Sequence, residues 1–459
     1  MKGIRLLARP TDKQKKVLSQ WMGCARVIWN AKCEDERYMT RFARLYCPIG
    51  TYAPIDQTCS QYKSKALTPW LSDCPSQILR NSAVNWYQTY WQFIKGECGK
   101  PRRKKKSDIG SIYLTREVFR FEKDDSGNLK LFIGTKHNNI GQLAIKRHRH
   151  FKLPNSITIK REKGRYYVSF CYGEATQNNL SFNKENLKHL QSANIDWLGQ
   201  HTVGIDRGVA IAVQANDDSF DLTDNQRQNK LKKEKYIKRM QKKLSRQQKG
   251  SNRREKTKFN LGRAHQNIAN IRNDFCHKVS HAITSDKTNK VIVLEDLKTK
   301  NMSKSAKGTL STPGKHVKAK SGLNRAILDK GWHRLETYLA YKSQRRGKAL
   351  FKVSAQYTSQ ACADCGHTHP SNRLSQSHFE CQHCGHTDNA DRNAARVIKQ
   401  KAIKLILDAG TALSKRGVLT PNSDIGRGAR HKSSVTTVAN APGRESSKKK
   451  KTVATHVAA

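Results

Sequence analysis

Short alternating runs and long amphipathic stretches divide the chain into sections. Residues 2–8, "KGIRLLA", read as a strand closed by Pro10. The next four, "TDKQ", have capping-box form, with Thr11 as N-cap and Gln14 three residues on. Val17, Leu18, Trp21, Met22, Ala25 and Ile28 then keep helical spacing. A second helix runs from Ser76 through Ile78, Leu79, Ala83, Trp86, Tyr87, Tyr90, Trp91 and Ile94 to Gly96. Its aromatic residues are expected to pack between the two helices. "GKPRRKKK" at 99–106 is a basic linker.

From about 110 to 172 the period shortens to strand-like runs: "SIYL", "VFRF", "LKLFIG", "QLAIKR", "SITIKR" and "RYYVSFCY". Turn signals such as "DDSGN" separate them, and the "KG" between the last two predicts a hairpin. Residues 226–286 read as two helical arms bent at "KGSN" (249–252), one lined by Leu231, Ile237, Met240 and Leu244. Leu261, Ile268, Ile271, Phe275, Val279 and Ile283 line the other. "TVGIDRGVAIAV" (202–213) and "NKVIVLEDL" (289–297) read as apolar strands, and 388–407 as a helix with an acidic start. Residues 303–320 form a basic loop without an acid, and 411–459, free of aromatic residues, are expected to be largely disordered.

Charge changes this picture most. Lys and Arg number 88 against 36 Asp and Glu, a formal net charge of +52 over 459 residues. Self-repulsion of that size destabilises a compact state unless a polyanion relieves it. One DNA footprint neutralises only about 6–10 phosphates, so an extended nucleic acid, or more than one, is expected. Between 226 and 258 there are fifteen Lys and Arg against two Glu, more than solubility requires, which makes that hairpin a candidate phosphate-binding surface. No run of eighteen apolar residues exists, so no membrane span is expected. The N-terminus lacks the apolar centre of a secretory signal, which points to a reducing compartment and to the 12 cysteines as thiols or metal ligands.

"CADC" at 362–365 and "CQHC" at 381–384 form C-x₂-C-x₁₅-C-x₂-C, the spacing of a tetrahedral four-thiolate zinc site. Cys362, Cys365, Cys381 and Cys384 would close the coordination shell, so the metal is structural and the nearby histidines are spare. Three acids stand at the edges of apolar elements: Asp206 after a strand, Glu295 at the end of a second, Asp391 in the first turn of a helix. Singly, each has a plain explanation: an ion pair of Asp206 with Arg207, a turn cap, a helix-start acid. Together they can hold two divalent cations, the arrangement that serves in-line phosphodiester hydrolysis.

These stretches resemble the TnpB proteins of bacterial and archaeal insertion sequences, RNA-guided nucleases related to type V CRISPR effectors. The likeness lies in "VGIDRGV", "VIVLEDLKTKNM", "SGLNRAILDKGW", "YKSQRRGKALFKV" and the cysteine-bearing segment to "DNADRNAARVI", with "PSQILRNSAVNWYQTYWQFIKG" nearer the N-terminus. It covers roughly residues 1–408. The resemblance implies a multidomain α/β protein: a RuvC-like nuclease domain of RNase H-type fold at 196–358 and 387–410, a zinc ribbon at 359–386, a wedge-like β-barrel at 1–10 and 108–195, and a helical recognition domain at 11–107. It implies Asp206, Glu295 and Asp391 as the catalytic, magnesium-binding acids, with Asp296 and Asp388 outside the motif positions. A guide RNA and double-stranded target DNA are the implied partners, in a prokaryotic cytoplasm near the nucleoid. Two rival expectations are a three-carboxylate transposase, which would need an end-binding module and for which no helix-turn-helix is evident, and a nucleic-acid binder without chemistry.

Overall fold

Gly3, Ile4 and their neighbours in β1 (Lys2–Ala8) open a five-stranded antiparallel sheet in a computed structural model that describes residues 2–46, 56–106, 109–123, 129–148, 150–172, 186–408, 411–413 and 419–421. The other strands of this part are β2 (Gly110–Thr115), β3 (Phe119–Lys123), β4 (Leu129–Gly134), β5 (Asn139–Leu143), β6 (Ile145–Lys146), β7 (Ser156–Glu162) and β8 (Arg165–Tyr172). The sheet order is β2-β7-β8-β1-β6, with β3-β4-β5 as a separate three-stranded sheet. The predicted "KG" hairpin is present: Lys163 and Gly164 have φ of 50° and 75°, the left-handed pair that matches strand twist.

The capping box forms at Thr11 and opens α1 (Asp12–Tyr38); α2 (Ser76–Ile94) lies against it. Leu18, Trp21, Ile28, Ile78 and Leu79 share one apolar core with Leu6, Ile112, Leu114, Ile159 and Val168 of the strands. Helices and sheet are therefore built on a common core. Trp29 and Trp86 pack together as expected, whereas Trp91 is half-exposed.

The second part is a sheet sandwiched between helices. Its strands are β9 (Thr202–Asp206), β10 (Val213–Ala215), β11 (Asp218–Phe220), β12 (Val291–Glu295), β13 (Ala349–Val353), and, near the C-terminal end, β16 (Thr411–Leu413) and β17 (Leu419–Pro421); β14 (His378–Glu380) and β15 (Thr387–Asn389) form a separate ribbon. The order is β11-β10-β9-β12-β13-β17-β16, with β9, β12, β13 and β17 parallel. Its helices are α3 (Ile195–His201), α4 (Asp224–Arg246), α5 (Asn252–Ser285), α6 (Val317–Lys330), α7 (Trp332–Arg345) and α8 (Ala390–Leu407). Every residue of β12 is buried, because alternate side chains face two apolar layers. Ile292 and Leu294 meet Phe275, Val279 and Leu339 of α5 and α7. Val291 and Val293 meet Ile398, Ala402 and Ile406 of α8.

Two expectations are corrected. Residues near 187–193 were expected with the first sheet, but Leu187, Leu190 and Ala193 pack into the α8 layer of the second. Residues 411–413 and 419–421, expected within a disordered tail, are paired instead: β17 extends the free edge of β13 at Phe351–Leu419. Edge pairing needs backbone groups rather than apolar side chains, so composition does not reveal it. The remainder of the expected tail lies outside the described residues.

Gly204 decides how α8 meets β9. A Cβ there would stand 2.0 Å from the Ala395 carbonyl oxygen and 2.7 Å from Lys399 N, so helix backbone lies directly on strand backbone. We expect Gly204→Ala to cost about 3 kcal/mol or more and to lower the midpoint of thermal unfolding by several degrees. An unchanged midpoint in calorimetry would show that this close approach is not required.

Candidate functional site

Parallel strands β9 and β12 are neighbours in register, Leu294 opposite Ile205, so their C-terminal acids Asp206 and Glu295 emerge at one sheet edge. Asp391 arrives from the opposite layer in the first turn of α8, where the Asn389 side chain caps the backbone N–H groups of Asp391 and Arg392 at 3.0 and 3.2 Å. A Cβ on Gly208, just past Asp206, would sit 3.7 Å from Asp391 Oδ2. The three sequence-predicted acids thus share one neighbourhood, near enough for the charges of Glu295 and Asp391 to act on Asp206. Burial raises the proton affinity of all three. For Asp206 it is the largest influence, the charges of Glu295 and Asp391 add to it, and the carboxyl is pushed up to about 7.

Nearby cations are mostly engaged elsewhere. Arg207 does not pair with Asp206; its guanidinium donates to the Glu295 backbone carbonyl and to Glu336. Asp296 is met by Lys352 at 3.2 Å, and Asp388 by Arg392 and Arg396. These two acids, which fall outside the motif positions, already have counter-charges. Two interactions carry no signal in the sequence: Thr358 Oγ1 donates to Glu295 Oε1, and Arg373 Nη2 lies 3.5 Å from Asp391 Oδ1. Arg373 stands between the two cysteine pairs, and only folding of that ribbon turns it toward the acids. Three neighbouring carboxylates are a candidate donor set for hard divalent cations, which prefer oxygen ligands.

The ribbon itself is built from the cysteines. The four Sγ atoms lie within 4.8 Å of one another, with Cys362–Cys384 at 3.7 Å and Cys365–Cys381 at 3.6 Å. Zn–S bonds of about 2.3 Å place tetrahedral sulfurs roughly 3.8 Å apart, so the set fits that ion. Gly366 and Gly385 take φ of 76° and 72°, turning each knuckle beneath the sulfurs. Buried Asn372 ties the knuckles together through Gln360 O, His367 O and Gln382 N. Asn393, two residues past Asp391, donates to Ala361 O at 2.8 Å and accepts from Ala363 N at 2.9 Å. The ribbon is therefore fastened to the helix that carries the third acid.

The predicted helical hairpin is α4 and α5, joined at 247–251 and held by Ile237, Ala264 and Ile268. Lys232, Lys233, Lys238, Lys242 and Lys243 point into solvent along α4.

Known proteins carry the same pieces. A family model described as "Probable transposase" (OrfB of IS605) matches residues 196–306; "Cas12f1-like, TNB domain" matches 332–398, and a "Helix-turn-helix domain" of the OrfB type matches 1–32. The last match falls where no such motif was expected, and residues 2–32 are a strand and one unbroken helix. A protein of Escherichia coli K12, "Putative RNA-guided DNA endonuclease InsQ", is 35% identical over 399 residues, spanning 87% of this chain and 91% of its own. A putative RNA-guided DNA endonuclease of Streptomyces pristinaespiralis is 26% identical over 416 residues and 89% of each chain. A cryo-EM structure of a Cas12f1–sgRNA–target DNA complex shares the fold at TM-score 0.52 and 13% identity, over 85% of this chain and 83% of that one.

Two outcomes follow from the geometry. The elevated Asp206 pKa means the folded state holds a proton that the unfolded state has released between pH about 4 and about 7. Its contribution to stability is full below that window and is lost as pH rises through it. In buffer without divalent ions, Asp206→Asn should therefore raise the unfolding midpoint at pH 8 but not at pH 4; an equal effect at both would contradict the shift. Metal analysis should find one zinc per chain, absent from Cys362→Ser/Cys381→Ser, and undiminished zinc in that variant would refute the four-thiolate site.

Proposed function

Because the chain belongs to the TnpB (IS605 OrfB) family, we propose that it is an RNA-guided DNA endonuclease whose cutting centre is Asp206, Glu295 and Asp391. It cuts double-stranded DNA selected by base pairing with a guide RNA beside a short flanking motif, and it is transposon-encoded. The observation that supports the assignment of the centre is that acids carried by β9, β12 and α8 lie near enough for the charges of Glu295 and Asp391 to act on buried Asp206. We read the second sheet with its helices as a RuvC-like nuclease domain of RNase H-type fold, and the first sheet with α1 and α2 as the wedge and recognition domains.

In this reading the three carboxylates would hold two Mg²⁺ ions, which would supply an activated water and neutralise charge on the leaving oxygen. Thr358 fixes the rotamer of Glu295 by hydrogen bonding to one carboxylate oxygen. Arg373 balances Asp391 before the cations arrive and can turn toward a phosphate, since its side chain is partly open to solvent. Cys362, Cys365, Cys381 and Cys384 would hold a zinc ion with no open position for chemistry, which would keep Arg373 and the start of α8 in place. The lysines along α4 meet RNA phosphates without reading sequence.

Each of Asp206→Ala, Glu295→Ala and Asp391→Ala is expected to abolish cleavage and leave DNA binding by the guide complex largely intact, because phosphate contacts elsewhere supply most affinity. Normal Mg²⁺-dependent cutting by Asp391→Ala would exclude the assignment. Protein stripped of RNA should bind duplex DNA without preference and cut it poorly. Adding back the RNA should restore cutting where the guide pairs, and mismatches beside the flanking motif should be the most damaging. Replacing Lys232, Lys233, Lys242 and Lys243 with Ala should flatten the salt dependence of RNA binding, by about 0.7–0.9 in slope for each phosphate no longer neutralised. Sequence-specific cutting by RNA-free protein would overturn guidance.

A further inference from the structure

Arg207 follows Asp206 in the chain, yet its guanidinium is held away from the three acids. The side chain is 1% exposed and lies beside Glu336 of α7, Nη1 to Oε2 3.5 Å, while Nη2 bonds the backbone carbonyl of Glu295. Glu336 Oε1 is in turn 2.8 Å from Lys352 Nζ on β13, and Lys352 reaches Asp296 at 3.2 Å. Arg207, Glu336, Lys352 and Asp296 thus alternate in sign along the back of the site, and the row is neutral as a whole. The Nε of Arg207 is buried without a hydrogen-bond partner among the described residues. A buried guanidinium with an unused donor seeks another acceptor, because an unmade bond there costs about 1–3 kcal/mol.

Alternative acceptors are the carboxylates of Asp206 and Glu295, whose charges act on this guanidinium after its burial and the charge of Glu336. An arginine fork on a carboxylate occupies the same oxygen lone pairs that a divalent cation requires. We propose that Glu336 is a positioning residue that sequesters Arg207 and so leaves Asp206 and Glu295 open to cations. The inference rests on the metal-binding reading of the three acids given above. It explains why a cationic residue sits beside a cation site without filling it: α7 supplies a competing acid.

The test is equilibrium titration of RNA-free full-length protein with Mn²⁺, read as loss of the free-ion paramagnetic resonance signal, with Asp206→Asn as the blank. Glu336→Gln, nearly isosteric, should weaken Asp206-dependent Mn²⁺ binding roughly ten- to a hundredfold, the usual effect of losing a partner behind a metal ligand. Arg207→Gln/Glu336→Gln should return binding to the wild-type range, which a merely structural role for Glu336 would not do. The Mg²⁺ concentration for half-maximal cleavage by guide-loaded protein should move in the same order. Wild-type Mn²⁺ binding by Glu336→Gln, or a double variant no tighter than the single, overturns the inference. If Glu336→Gln does not fold, Arg207→Gln alone decides, since it must bind Mn²⁺ no more weakly than wild type. Mn²⁺ binding unaltered by Asp206→Asn would remove the metal-binding reading and this inference with it, whereas the preceding outcomes remove this inference alone.

Discussion

Loss of hydration at Asp206, Glu295 and Asp391, with the charges of the other two adding to it at Asp206, is the constraint around which the second half of the protein is built. Carboxylates brought together out of water favour protonation or separation. Separation by movement is not available here. β9 and β12 are locked in parallel register with both faces covered, and α8 lies against Gly204 with no room for a side chain between. The strain is therefore chemical rather than conformational, expressed as raised proton affinity.

The four-cysteine ribbon is fastened beside these acids. Asn393 bolts the ribbon to α8 two residues from Asp391, and Arg373 extends from it to the Asp391 carboxylate. Beside the three acids, Arg207, Glu336, Lys352 and Asp296 form a row alternating in sign, so these fixed charges offset one another. The remaining excess of cations lies outward, on α4 and the loops, where polyanions rather than carboxylates neutralise it.

Some of this was legible in residues alone. The capping box at Thr11, the "KG" turn, the two helical arms and the four-thiolate spacing each carry local physics, and each formed where expected. The three acids were recognisable as candidates because each interrupts or ends an apolar element, a costly position for an unpaired charge. Sequence could not exclude Arg207 as the partner of Asp206, since adjacent residues of opposite charge are always available to one another.

What tertiary structure decided was which charges face each other. Asp206, Glu295 and Asp391 are separated by long stretches of chain, and only parallel pairing and the layer of α8 bring them to one edge. Thr358, Arg373 and Glu336 carry no local signal at all, because a hydroxyl, a guanidinium and a carboxylate look alike in any exposed loop or helix. The pairing of β17 on the edge of β13 was hidden for a related reason: it depends on backbone groups, which every residue possesses. Composition and spacing set the chemistry the chain can offer, whereas the directions of side chains across packed layers settle which of those groups meet.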